Sequence, residues 1–212
     1  MRPAQIIPTL VCALLINTAH AGTLDQLPAY PGWDETVLLT SKSNGQVALY
    51  EIIRKADNPK APSEFFTINV YPVGIVKPEA GPGAVLTLMS LGVYSVCDQA
   101  KVPATLESEE NGYKVAYGQF YCSKQKGKNY GVINQRKAIK GEKSIYIVQR
   151  EWRVKPFEFE NGDKNSFTLS LKSFDSEAEA KQLFDAMQTA NEYLHKTVTV
   201  CGKGELEGVC GM

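Results

Sequence analysis

Cys97, Cys122, Cys201 and Cys210 are the side chains of this 212-residue chain best suited to covalent chemistry. Redox or metal work would call for a close C-x-x-C pair or histidines nearby. The chain has no C-x-x-C, and beyond residue 21 its only histidine is His195. The four cysteines are therefore expected to form two structural disulfides, for which three connectivities exist. Pairing sequence neighbours gives Cys97–Cys122 and Cys201–Cys210, and the second would close a small loop with a stabilisation of roughly 2–3 kcal/mol. The sequence calls for no metal and no cofactor.

His195 could serve a Ser-His-Asp or Cys-His site, yet no nucleophile elbow accompanies it. Its place on the last turn of an amphipathic segment suits a helix C-terminus, where a cationic ring meets the dipole. Gly81-Pro82-Gly83 lacks the lysine of a phosphate-cradling loop. Gln149-Arg150-Glu151-Trp152-Arg153 is the most distinctive string. On a strand, Arg150 and Trp152 face one side, and Gln149, Glu151 and Arg153 the other. Glu151 paired with Glu158 or Glu160 would make a glycosidase-like couple. The plainer expectation is an ion-pair ladder on a wet face, with Trp152 anchoring the core. No catalytic residue is assigned.

The span 124–143 holds Lys124, Lys126, Lys128, Arg136, Lys137, Lys140 and Lys143 against one acid, Glu142. This local positive patch could meet an anionic headgroup, a cell-wall polymer or an acidic protein, or simply keep a hairpin solvated. Tyrosines lie nearby, as at many interfaces. Lys124, Lys126, Lys128, Tyr130, Arg136 and Lys137 are the candidate binding residues, with another protein or an anionic envelope component as the partner. Overall charge excludes one class: without the leader the chain is near neutral, unlike a nucleic-acid binder.

Residues 1–21, MRPAQIIPTLVCALLINTAHA, read as a signal peptide. Arg2 supplies a positive start, Ile6 to Ile16 an apolar run too short to span a bilayer, and Ala19-His20-Ala21 the small residues of a cleavage site. Thr9-Leu10-Val11 before Cys12 does not fit a lipid-anchor site. No N-x-[ST] sequon follows, which favours a bacterial envelope. The expectation is a periplasmic or secreted chain that does not span the membrane, with residues 22–212 as a single domain ending in a disulfide-closed loop.

Asn44-Gly45 between 36–40 and 47–53 predicts a hairpin. A third strand over 64–71 is bounded by Pro59, Pro62 and Pro72. Residues 80–97 carry no charge. Ala84 to Cys97 reads as a buried helix, with Val85, Leu88, Met89 and Val96 on one face. Segments 113–122, 130–139, 144–154 and 167–171, joined by turns at Lys126-Gly127-Lys128, Lys140-Gly141-Glu142 and Asn161-Gly162-Asp163, predict a four-stranded meander with one wet and one dry face. Ser176-Glu177-Ala178-Glu179 is a capping box. Ala180, Leu183, Phe184, Met187 and Leu194 then form the stripe of a closing amphipathic helix.

The fold class is α+β: a twisted antiparallel sheet of about six to seven strands, covered by the C-terminal helix and one central helix. In outline it resembles the Mog1p/PsbP-like architecture, in which helices cover a twisted antiparallel sheet. That resemblance is of topology alone and transfers no function. The expected function is that of an exported, non-catalytic envelope protein binding another macromolecule, as an inhibitor, an immunity-type partner or a secretion accessory. The alternatives are a carrier of an apolar ligand between helix and sheet, and a hydrolase of envelope carbohydrate acting through Glu151.

Overall fold

The computed structural model describes residues 30–43, 47–73, 79–142, 144–162, 166–170 and 174–200. Residues 1–21, expected to be a signal peptide, lie outside the described residues, as do Asn44-Gly45, Lys143, Cys201 and Cys210 with their expected bridge.

The chain is α+β. Strands β1 (Thr36–Ser43), β2 (Ala48–Arg54) and β3 (Glu64–Pro72) precede helix α1 (Pro82–Val96). Then come β4 (Ala100–Lys101), β5 (Leu106–Glu110), β6 (Tyr113–Cys122), β7 (Gly131–Lys140) and β8 (Ser144–Val154). A ribbon of β9 (Phe159–Gly162) and β10 (Phe167–Leu169) leads into α2 (Glu177–Lys196). The main sheet runs β1-β2-β3-β8-β7-β6, with β4 and β5 sharing the outer edge of β6. Two antiparallel meanders, β1-β2-β3 and β6-β7-β8, thus join along β3–β8, from Glu64 opposite Trp152 to Pro72 opposite Ser144.

This corrects the expected four-stranded meander. Phe167 to Leu169 pair with β9 in a separate ribbon, and the place beside β8 belongs to β3. The ribbon caps one end of the core instead: Phe159 and Phe167 meet edge to face, and Phe167 meets Tyr121 likewise. The expectation of one wet and one dry face also fails at β7. Nine of its ten residues are buried, because α1 packs on one face and α2 on the other.

On the α2 side, Phe66, Ile68, Ile133, Ile139, Tyr146, Val148 and Trp152 alternate inward from β3, β7 and β8 against Met187, Ala190, Tyr193 and Leu194. The helix starts as its sequence predicts. Ser176 Oγ accepts from the Glu179 N–H at 3.1 Å, and the Glu179 carboxylate accepts from the Asp175 N–H at 2.7 Å, one residue further back than in a standard capping box. One expected stripe residue differs. The buried line passes through Met187, Ala190 and Leu194, and Phe184, one residue on from the half-buried Leu183, is turned about 100° away and left exposed.

On the opposite face, α1 sits over β6 and β7. Leu86 drops onto Ala116 and Ala138, all three fully buried. Gly118 permits this approach: a Cβ there would meet Leu86 Cδ1 at 3.2 Å. The 84–97 segment is a helix as expected, but it is not buried on all sides. Val85, Leu86, Ser90 and Val93 face the sheet, whereas Leu88 and Leu91 are each 61% exposed, Tyr94 49% and Val96 46%.

Candidate interaction surface

The six residues proposed from sequence for a basic binding patch separate into three groups. Lys124, Lys126 and Lys128 are exposed on the β6–β7 connection. There a turn runs from Gln125 to Lys128, closed by Lys128 N–H to Gln125 O at 2.9 Å, with Gly127 at φ +74° as a type II turn requires. Tyr130 is half-buried at its base, and the Arg153 guanidinium lies 5.0 Å from its ring.

Arg136 and Lys137 belong to neither surface, and this is a correction. Arg136 lies beneath α1, donating to Ser90 Oγ and stacking 5.4 Å from the Phe120 ring. Burial pulls its pKa down to about 10. Lys137 points the other way and has no exposed surface. Its Nζ donates to Glu110 Oε2 at 2.5 Å, Val198 O at 2.6 Å and Leu194 O at 3.0 Å. All three ammonium hydrogens are engaged, so Lys137 caps the end of α2 and is closed to both partners and nucleophilic chemistry. Burial holds its pKa below the ordinary lysine value, against the opposing pull of Glu110.

His195 stands beside that cap. Its ring stacks on Tyr117, centroids 3.6 Å apart, and Tyr117 OH donates to the other Glu110 oxygen. Partial burial and the Lys137 charge lower its pKa, outweighing Glu110. A histidine held below its unfolded pKa binds fewer protons when folded, so its contribution is present above the ordinary histidine value and is lost as pH falls through it. His195→Gln is therefore expected to flatten the acid side of the stability profile near pH 6.5, read as urea midpoints. An unchanged slope would refute this.

Glu151 lies on the α1 side of the sheet, two positions from Arg153, whose Nε is 3.9 Å away. Burial raises its pKa, with Arg153 opposing and Glu51 reinforcing the shift. Its expected partners are elsewhere. The ribbon carrying Glu158 and Glu160 packs through Phe159 on the α2 side, and Glu160 accepts from Ser170 Oγ at 2.6 Å. Glu151 faces the α1 side with Arg153, and Glu160 is engaged by Ser170, so these two carboxylates are held by different partners. A groove of about 430 Å³ opens between α2 and the β8 end, its walls mixing Trp152, Leu183 and Ala186 with Arg54, Glu64 and Lys155.

The exposed lysines acquire neighbours that the sequence reading missed. The C-terminus of α1 is fixed to their turn by the predicted Cys97–Cys122 disulfide, Cα atoms 5.5 Å apart. A bridge between Cys97 and Gln125, and Asp98 N–H to Lys124 O at 2.9 Å, reinforce it. Lys126 reaches back so that its N–H meets Val96 O at 2.8 Å and its Nζ meets Ser95 O at 3.0 Å. Leu88, Leu91, Tyr94 and Val96 therefore continue directly into Lys124, Lys126 and Lys128 as one rigid surface. One signal for it was present in the sequence: a helix apolar all round is normally covered all round, and 80–97 has no polar side to give to water. No protein-family model matches this chain, and no curated protein matches it. Among the described residues, no helix is long and apolar enough to cross a membrane, and no cluster of His, Cys, Asp or Glu could hold a metal.

Proposed function

We propose that this chain is an exported, non-catalytic envelope protein that docks onto another envelope component through the outer face of α1 and the Lys124–Lys128 turn. The carrying observation is the uncharged helix with Leu88 and Leu91 each 61% exposed, flanked by three exposed lysines. Contiguous exposed apolar surface with a polar rim marks interaction sites. The leader-like residues 1–21 and the Cys97–Cys122 disulfide support export to a periplasmic or extracellular setting, where such bridges persist.

The test is site-specific photocrosslinking in envelope preparations from cells expressing the full chain. A benzophenone at Leu91 is expected to crosslink to an envelope component, and one at the exposed Phe184 of α2 is not. Charge reversal at Lys126 and Lys128 should weaken the Leu91 product several-fold. Equal products from both positions, or none from Leu91, would overturn the reading. The groove beside α2 supports a second reading, a carrier for a ligand with an apolar body and a charged head. Native mass spectrometry would then find that ligand bound.

A further inference from the structure

We infer that the component met by this surface is an anionic lipid bilayer, with α1 lying in its interface. This rests on the docking reading above and names its occupant. The exposed face of α1 centres on Ala84, Leu88, Leu91 and Ser95, flanked by Thr87 and Tyr94 on one edge and Gly92 and Val96 on the other. At 1.5 Å per residue, the helix presents a ridge about 22 Å long without one charged side chain.

Hydrogen bonding favours lipid over protein. Thr87 Oγ1 donates to Gly83 O at 2.9 Å and Ser95 Oγ to Gly92 O at 2.7 Å, so both hydroxyls are turned back onto their own helix. Only the Tyr94 hydroxyl remains as a polar handle on the ridge. A specific protein interface carries about one hydrogen bond per 100–200 Å², and this ridge has little to offer one. A bilayer interface asks instead for apolar side chains that sink about 5–10 Å, a tyrosine at the boundary and cations over the headgroups.

The charges are placed to match. Lys124, Lys126 and Lys128 stand at the C-terminal end of the ridge beside one acid, Asp98, while the Glu107 carboxylate packs against Gly83 at the opposite end. The disulfide and the Lys126 contacts to Val96 and Ser95 hold lysines and leucines in fixed relation. Docking therefore orders little that was loose before.

The experiment uses residues 22–212 with oxidised cysteines and vesicles of phosphatidylcholine, with or without phosphatidylglycerol, read by flotation. Binding is expected to the phosphatidylglycerol vesicles alone and to weaken with salt. Lys124, Lys126 and Lys128 changed together to Gln should reduce it on the order of a hundredfold. Leu88→Gln with Leu91→Gln should abolish it while moving the thermal midpoint by no more than about a few degrees, since both side chains are largely exposed and glutamine keeps the helix propensity. Tyr94→Trp should gain a blue-shifted emission on binding. Failure to float with phosphatidylglycerol, or flotation indifferent to the leucine variant, overturns the inference. If the Leu91 crosslink then falls on a protein, the docking reading stands without the lipid. If no crosslink forms either, both fall.

Discussion

Glu64→Gln is expected to lower the free energy of unfolding by about 3–5 kcal/mol, the loss seen when one partner of a buried ion pair is removed. Glu64 is buried at the start of β3, and Arg150 on β8 is 1% exposed. One Glu64 oxygen pairs with Arg150, and the other lies 3.2 Å from Arg54. The Arg150 guanidinium lies 3.9 Å from the Tyr30 ring and 3.8 Å from the Trp33 ring, which meet at a tilt with centroids 5.2 Å apart, so a single cation fastens the N-terminal segment to the sheet. Burial depresses the Arg150 pKa, and the Glu64 charge opposes that effect most. Without the carboxylate the cation stays desolvated against two rings. Glu64→Gln with Arg150→Met should recover most of the loss, because an apolar pair leaves no charge unmatched. Urea titration followed by tryptophan emission reads both variants, and a loss below about 1 kcal/mol for Glu64→Gln would refute the assignment.

The second large effect is expected from Cys97→Ser with Cys122→Ser. The bridge joins positions 25 residues apart, for which loop-closure entropy gives about 3.5 kcal/mol. Both sulfurs lie in the small cluster with Val93 and Val132, so two buried hydroxyls would add to the loss. Wild-type protein unfolded in the presence of reductant should show a urea midpoint between those of the oxidised protein and the double variant, because its buried thiols escape the cost of the two hydroxyls. Identical midpoints with and without reductant would show that the bridge contributes nothing. Flotation with phosphatidylglycerol vesicles should weaken in the variant as well, since α1 and the lysine turn would no longer move together.

What the sequence showed depended on how local its cause was. The start of α2 was legible because Ser176 and Glu179 act within one turn, and the pairing of β1 with β2, up to Ser43 opposite Ala48, because two β-branched runs stand close together in sequence. The Cys97–Cys122 pairing was legible because near neighbours in an even set are the simplest match. The β3–β8 seam was not, because no local residue specifies which strand lies beside which when several alternate alike. Lys137 failed for a related reason. Lysine normally belongs in water, and only the meeting of β7 with the α2 terminus supplies the Leu194 and Val198 carbonyls that engage it. For α1 the absence of charge predicts burial on every side, whereas the sheet covers one side only and leaves Leu88 and Leu91 exposed.

The seam between the two meanders also governs how the molecule comes together. Its partners stand roughly eighty residues apart, so this contact order makes the centre of the sheet slow to close. Until β8 is synthesised, β3 is the bare margin of a three-stranded fragment, and the carboxylate of Glu64 awaits a cation on a distant stretch of polypeptide. A truncation ending before Ser144 keeps the small cluster of Val93, Cys97, Cys122 and Val132 but loses Tyr146, Val148, Trp152 and all of α2 from the main core, and is expected to be a substrate for chaperones and proteases.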